Sequence, residues 1–585
     1  MKIRKKSVLR YVLISIIILF SMSISWSQIT GYHSYAELKS KLKELADQHS
    51  QVITLNSHGE TLGEKEILSL TVGKGKTDTK PAILMVGGVN GTDLAGTEVL
   101  LQFVQSIAED YNKVDSVKSL IDNVTLYIFP RVNPDASEAF FSKPQYARSF
   151  NMRAMDLDTD GKMDEDGYDD LNKDGYINWL RITEPGGDWL DDKDYPGLLK
   201  KADTGKGETG IYRLIQEGFD NDGDGQLNED EPGGVNFNQN FTFKYKFFTP
   251  GAGFHQVSEV ETRAVADFVY GHPNIAAVFS FSPNDNLNKA WEAPKGPPKK
   301  SGQGSREPVE QIDQKDAPYF AHISDLFKKM TKLSDLSTSE SGQGAFNEWV
   351  YYHFGRWSFS TPAWWPPLSS GQPDSSESDT DSVKTEENKV SKNSPKKPQG
   401  ENKKTKSQRL WNWIQATNQQ DAFVAWKEIK HPDFPDKKVE LGGFKPFAEY
   451  NPPADSLKAL SNKYYPFLFK LSSSLPKIDI KNLKVEDVHN NVYRITLNAV
   501  NEGYLPTNPQ MGVPNKWCPK IKLALDLSEN QKVVSGRVLQ FIDQLAGSGG
   551  SEEISWMVMG KKGETVKITV GSPMAGTVVQ EVELR

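Results

Sequence analysis

The segment Asp220-Asn-Asp222-Gly-Asp224-Gly225-Gln226-Leu-Asn228-Glu229-Asp230-Glu231 has carboxylates at its first, third and fifth positions. A glycine stands at the sixth and a glutamate at the twelfth. A hard divalent cation needs such a cage of oxygens, and the glycine allows the sharp turn that closes it. The spacing predicts a calcium site on Asp220, Asp222, Asp224, Gln226, Asn228 and Glu231. Two less complete copies lie upstream. Asp156, Asp158, Asp160 and Asp164 flank Gly161, and Asp170, Asn172, Asp174 and Asn178 flank Gly175. Gly167 and Arg181 stand where each would need its final glutamate, so weaker binding or shared ligands are expected. The surrounding stretch, 154–234, is rich in Asp, Asn and Gly and poor in apolar runs. Calcium is expected to staple an insertion with no core of its own.

A second stretch has the layout of an active site. GGVNGTDLAGTE, Gly87 to Glu98, follows the apolar run Ala82–Val86 and leads into Val99-Leu-Leu-Gln-Phe-Val104. A buried strand, a Gly-rich turn and a helix in that order place the turn where α/β proteins carry their chemistry. The polar residues there are Asn90, Thr92 and Asp93, a weak catalytic set.

The elements that position these residues follow from periodicity. Helical spacing marks Tyr35–Ala46, Thr97–Ala108 and Val260–Tyr270; short apolar runs mark strands at Ile67–Val72, Ala82–Val86, Val124–Phe129 and Ala276–Ser282. The alternation predicts an α/β domain with a mixed, mostly parallel sheet sandwiched by helices. Residues 369–408 are Ser, Pro, Lys, Glu and Asp with almost no large apolar side chains, the composition of a disordered linker. The α/β domain is expected to occupy 31–368 and to continue over 409–470. Val492–Val500, Ile521–Leu527, Ile554–Met559, Thr565–Val570 and Val578–Leu584 alternate with turn residues and predict a C-terminal all-β sandwich over 475–585.

Residues 1–27 combine a basic start, an apolar run from Tyr11 to Ile24 and small residues at Ser25 and Ser27. That is a signal peptide, and it predicts export to a periplasmic or extracellular location with no membrane span after cleavage. The net charge of −8 and the lack of a basic face argue against nucleic-acid binding. Cys518 is the sole cysteine, so no internal disulfide can form. Oligomeric state is not legible.

Six blocks then carry a resemblance: GGVNGTDLAGTE, FPRVNPDA (Phe129–Ala136), GGVNFNQNF (Gly233–Phe241), SEVETRAVADF (Ser258–Phe268), SGQGAFNEW (Ser341–Trp349) and WSFSTPAWW (Trp357–Trp365). In order and spacing the chain resembles the zinc carboxypeptidases, the carboxypeptidase A-like metallopeptidases, from about Gly31 to Pro453, and most closely their secreted bacterial type with a calcium-loop insertion. The resemblance implies a zinc held by a His-x-x-Glu pair and a later His, a Glu general base, and an Arg that grips the substrate carboxylate. The corresponding positions here are Asn90 and Asp93, Ser282, Pro362 and Gln239. Arg148 and Arg153 fall where the family places an Arg that polarises the scissile carbonyl, and Asn238 retains an asparagine of the carboxylate block. None of the nine histidines forms a ligand pair, and His255, just before the Ser258–Phe268 helix, is the one that could approach the cleft.

The expected protein is therefore a pseudoenzyme of this family that binds calcium, lacks the family's zinc and takes a peptide or peptidoglycan-stem ligand. An active metallocarboxypeptidase or amidase with a remodelled metal site is one alternative, and a calcium-stabilised surface binding protein is another. Trp349, Tyr351, Trp357 and Trp364 are expected to be core for the most part, with a cleft role as the alternative. Glu259 and Glu261 are expected to support the start of a helix.

Overall fold

The computed structural model describes residues 31–156, 160–230, 233–294, 309–336, 342–367 and 404–585. The expected signal peptide, residues 1–27, and residues 369–403 of the expected linker lie outside the described residues.

Strands β1 (Ile53–Glu60), β2 (Glu66–Val72), β3 (Ala82–Val86) and β4 (Thr125–Phe129) come first. β5 (Trp179–Gly187), β6 (Trp189–Asp191), β7 (Leu199–Lys201) and β8 (Gly210–Gln216) lie in the insertion. β9 (Ile275–Phe281) and β10 (Trp357–Thr361) follow, then β11 (Phe423–Ile429) and β12 (Val439–Phe444). The central sheet has the order β1-β2-β4-β3-β9-β10. Its β4-β3-β9-β10 half is parallel, and the β1-β2-β4 half is antiparallel. β3, β4, β9 and β10 are buried along their whole length, because helices cover both faces. On one face lie the helices Ala95–Asp110, Ala317–Thr331 and Leu457–Ser472, and on the other Val260–Gly271. This is the mixed α/β sheet that the alternating pattern predicts. The helix Leu457–Ser472, C-terminal to residues 369–403, packs through Tyr464 and Phe467 onto Phe279 and Phe281 of β9.

The insertion differs from the expectation of a coreless loop. β5 and β8 pair antiparallel, β6 and β7 extend that sheet, and β12 joins its other side, giving the order β11-β12-β5-β8-β6-β7. Leu180, Ile182, Val439 and Leu441 are all buried in a small core. The strands were hidden because their core partners are more than 250 residues apart in the chain. A local window sees only half of the apolar face.

The C-terminal strands β13 (Ile478–Asp487), β14 (Val492–Asn501), β15 (Ile521–Asp526), β16 (Lys532–Ser535), β17 (Leu539–Ile542), β18 (Gly550–Met559), β19 (Thr565–Ser572) and β20 (Gly576–Glu583) form two four-stranded sheets, β13-β14-β18-β16 and β17-β15-β19-β20. All their pairings are antiparallel, and alternate residues such as Ile495, Leu497, Leu523 and Ile568 fill the space between the sheets. Cys518 is buried and unpaired. No helix of the described residues is long and apolar enough to cross a membrane.

The sandwich docks beside β10. The buried Arg356 donates to the carbonyls of Ile275 (2.6 Å) and Trp517 (2.9 Å), and Trp357 Nε1 donates to Pro506 O (3.1 Å). Asp316 Oδ2 accepts from the Gln510 backbone N–H (2.8 Å) and the Tyr351 hydroxyl (2.8 Å). Removing that carboxylate leaves two buried donors unpaired, at about 1–3 kcal/mol each. Asp316→Ala is expected to lower unfolding stability in urea by about 2 kcal/mol or more. A loss below about 0.5 kcal/mol would show that the joint does not depend on it.

Candidate functional site

The Gly-rich turn forms as the strand–turn–helix pattern requires. A Cβ on Gly91 would lie 2.2 Å from Ala136 Cβ and 2.8 Å from Arg148 O, so only glycine allows the turn to press against the helix Pro134–Glu138. Asp93 N–H donates back to Asn90 O (3.0 Å). The helix Ala95–Asp110 begins here without a cap from its own N-cap residue, Leu94. Two other side chains satisfy its first N–H groups. Asp93 Oδ1 accepts from Gly96 N–H (3.0 Å), and Asn451 Oδ1 accepts from Leu94 and Ala95 N–H (2.9 and 3.0 Å). Asp93 Oδ2 accepts from Ala363 N–H (3.3 Å), the residue after Pro362. Both Asp93 oxygens are therefore engaged by backbone. Burial pushes its carboxyl up to about 6, against the pull of these two hydrogen bonds.

The other family positions converge on this turn. Ser282 directly follows β9, its N–H bonded to Thr361 O (3.0 Å). Its hydroxyl donates to Asn284 Oδ1 (3.1 Å) and accepts from Asn284 N–H (3.3 Å). Asn238 Nδ2 donates to the same Asn284 oxygen, while Asn238 Oδ1 accepts from Phe346 N–H (3.0 Å). A cavity of about 280 Å³ is lined by Asn90, Asn236, Asn238, Gln239, Asn284 and Lys246 among others. A second cavity, of about 110 Å³, shares Asn90 and reaches Asp93, Pro362, Trp364, Lys406 and Glu449. Asn90 thus stands where the two cavities meet. Pro362 offers its carbonyl to the Tyr464 hydroxyl (3.1 Å).

These residues do not fit a catalytic zinc. Asn90 offers a neutral amide and the Ser282 hydroxyl is neutral and bonded to Asn284, which leaves Asp93 as the one anionic donor, too few for a tightly held zinc.

Arg148 and Arg153 are held outside both cavities. Arg148 is buried and donates to the carbonyls of Phe150 (3.0 Å) and Gly233 (2.9 Å). Arg153 pairs with Glu259 (2.9 Å) and lies over Phe254. Glu259 also accepts from Asn151 (2.8 Å), and Glu261, at the start of its helix, is pushed up to about 7 by burial. His255 is exposed, its Nδ1 beside Gln256 O (3.0 Å). Trp349, Tyr351 and Trp357 are core, whereas Trp364 lines the smaller cavity. One buried cluster carried no sequence signal. Glu98 accepts from His33 Nδ1 (2.7 Å) and His33 N–H (3.0 Å), and Arg131 donates to His33 O (2.7 Å). The hydrogen bond to Glu98 raises the His33 pKa.

The acidic loops fold around their carboxylates. Asp220 accepts from Gly223 and Gly225 N–H (2.7 and 2.9 Å), Asp222 from Asp224 N–H (3.0 Å), and Asp224 from Gln226 N–H (2.7 Å). Ligand atoms of Asp220, Asp222 and Asp224 lie within 4.8 Å of one another, as do those of Asp160, Glu165 and Asp222. The first and third loops therefore meet. Burial pushes Glu165 and Glu229 each up to about 7. Asn228 Nδ2 donates to Gln216 O (2.8 Å), and Asp164 Oδ1 accepts from Gly233 N–H (3.1 Å). Asp156 Oδ2 accepts from Gly161 N–H (3.1 Å). Asp158 and Glu231 lie outside the described residues.

Residues 38–169, which include the turn, match the family model described as zinc carboxypeptidase. This stretch of the chain belongs to the zinc carboxypeptidase family. Human carboxypeptidase D is 31% identical over 134 residues, 22% of this chain and 10% of that protein. A zinc carboxypeptidase of Saccharothrix mutabilis subsp. capreolus is 25% identical over 114 residues, 19% of this chain and 26% of that protein. The chain thus spans about a tenth of carboxypeptidase D and about a quarter of the bacterial enzyme. Carboxypeptidase A from Helicoverpa armigera superposes with a TM-score of 0.36 at 15% identity, covering 58% of this chain and 66% of that one. Residues 477–583, the sandwich, match a domain of unknown function (DUF8731). Asn90 and Asp93 fall inside the zinc carboxypeptidase match. Gln239, Ser282 and Pro362 fall beyond it, and it is the fold that gathers them around the same turn.

The raised Asp93 pKa gives a pH signature. Its carboxyl titrates near 6 when folded and near 3.8 when unfolded. Its stabilising contribution is full below pH 4 and is lost as pH rises through about 6. Asp93→Asn is expected to remove that fall, so that the stability difference from the natural protein shifts by about 2–3 kcal/mol in the variant's favour between pH 4 and 7. Parallel pH profiles for the two proteins would contradict this assignment.

Proposed function

We propose that this chain is an exported, calcium-stabilised pseudoenzyme of the zinc carboxypeptidase family whose cleft binds a peptide or peptidoglycan stem without cleaving it. The observation that carries the reading is Asp93. It is the one carboxylate among these positions, beside a neutral amide and a neutral hydroxyl, and its oxygens cap a helix and tie in Ala363. Pro362 can neither accept a proton nor offer an N–H at the general-base position. The cavity beside the turn is lined by amides, Asn90, Asn236, Asn238, Gln239 and Gln343, with Lys246 as a cation. Amides pair with peptide N–H and C=O groups, and a lysine suits a carboxylate. Gln239, where the family places its carboxylate-gripping Arg, exchanges a bidentate ion pair for a neutral contact, which loosens the grip on a free chain end that the family's reaction needs.

The purified full chain, incubated with excess zinc and then freed of unbound metal, is expected to hold well under one zinc per chain. It is also expected to release no C-terminal residue from a peptide panel. One tightly held zinc per chain with chelator-sensitive hydrolysis would overturn the reading. Gln239→Ala is expected to weaken binding of a stem peptide about tenfold, roughly 1.4 kcal/mol. Unchanged affinity would move the ligand out of this cavity.

A further inference from the structure

The second acidic loop lacks a twelfth-position glutamate, yet the fold brings one to it. β5 and β8 pair antiparallel with Trp179 opposite Gln216, and the ladder runs one residue further. Asn178 N–H donates to Glu217 Oε1 (3.0 Å), and Glu217 N–H donates to Asn178 O (3.1 Å). The side chain of Glu217 is thereby turned into the loop that precedes β5. Ligand atoms of Asp170, Asp174 and Glu217 lie within 4.8 Å of one another.

Inside that loop the oxygens are already gathered. Asp170 accepts from Asp174 and Gly175 N–H (3.1 and 2.8 Å), and Asn172 Oδ1 accepts from Asp174 N–H (2.9 Å). Gly175 takes φ +85°, the left-handed turn of the sixth position. Asn178 Nδ2 donates to Asp174 Oδ2 (3.0 Å).

Two atoms separate this cluster from an ordinary solvated acidic loop. Glu217 and Asn178 are both fully buried, and among the described residues neither Glu217 Oε2 nor Asn178 Oδ1 has a hydrogen-bond partner. A buried carboxylate oxygen without a donor is costly, and two further carboxylates beside it add repulsion. A cation relieves both at once. The oxygen-only donor set and the loop spacing select calcium over a softer metal.

We propose that Asp170, Asn172, Asp174 and Glu217 form a calcium site whose closing carboxylate comes from the end of the neighbouring strand instead of from the loop. The site rests on the reading of this insertion as calcium-binding and adds a ligand to it. It would clamp the start of β5 to the end of β8. Gln145, which bonds to Gly175 O (2.9 Å) and Ile177 N–H (2.8 Å), would link the clamp to the carboxypeptidase-like domain.

The test is calcium stoichiometry of the full chain by equilibrium dialysis, paired with melting temperature in calcium and in chelator. Glu217→Gln keeps the shape and the Oε1 contact. It is expected to bind one calcium fewer per chain, to lose part of the calcium-dependent rise in Tm, and to melt no lower than the natural protein in chelator. Glu217→Asp, one methylene shorter, is expected to keep the stoichiometry with about tenfold weaker binding at that site, and it serves if the glutamine variant does not fold. Natural stoichiometry in Glu217→Gln, natural affinity in Glu217→Asp, or an equal Tm loss with and without calcium would overturn the proposal. Asp220→Ala separates the two levels. If that variant loses calcium and Glu217→Gln does not, Glu217 fails as a ligand while the third loop stands. If the natural protein binds no calcium, both fail.

Discussion

The helix Ala95–Asp110 begins in the middle of the protein with N–H groups that its own residues cannot satisfy. A buried helix terminus cannot leave them open. Asp93 and Asn451 resolve this, and each ties in a distant piece of chain. Asp93 reaches Ala363 beyond β10, and Asn451 also donates to Thr92 O (2.8 Å). The turn, the end of the sheet and the segment after residue 404 are thus joined at one point. A carboxylate at a helix N-terminus is favoured by the exposed N–H groups and the dipole. That explains how Asp93 is accommodated in a buried site with a raised pKa and, among the described residues, no salt-bridge partner.

The same constraint separates scaffold from chemistry. The glycines of the turn answer to packing, as Gly91 against Ala136 illustrates, and so does the carboxylate at Asp93. Neither needs a metal. A fold can therefore keep its turn, its parallel strands and its cleft while the donor set becomes amides and a hydroxyl. The convergence of Asn90, Ser282 and Pro362 is a consequence of topology. β3, β9 and β10 are adjacent and parallel, so their C-terminal ends lie side by side, and the residues after each of them meet.

What was legible in the sequence follows from distance along the chain. Ala82–Val86, Ala276–Ser282 and Tyr35–Ala46 announce themselves because each carries its own apolar pattern. The sandwich strands are legible for the same reason, through strict alternation in Val492–Val500 and Ile521–Leu527. β5 and β12 were not, since their common core, Leu180 and Ile182 with Val439 and Leu441, is split across the chain. Within the site, Asn90 and Asp93 could be placed by motif. That Asp93 also ties in Ala363 could not, because that partner, 270 residues away, is brought to it only once the sheet closes. Arg148 and Arg153 show the converse. Their positions fit a motif, yet their guanidinium groups answer to backbone carbonyls and to Glu259.

The acidic insertion obeys the same logic with charge in place of apolar surface. A twelve-residue loop is readable when all its ligands are local, as at Asp220–Glu231. When one ligand lies on another strand, the motif looks broken. Register then does the work of sequence proximity, since the antiparallel pairing of Trp179 with Gln216 fixes Glu217 opposite Asn178. The small core of Leu180, Ile182, Val439 and Leu441 sets that register, and the register assembles the carboxylates. Gathered there, they repel one another, and a cation would offset that repulsion. Burial, with the charges of Asp174 and Asp170, pushes the Glu217 carboxyl up to about 8. If the proposed ion binds, apolar packing and ion binding in the insertion are successive steps of one assembly, with the sheet forming the site and the ion locking the sheet.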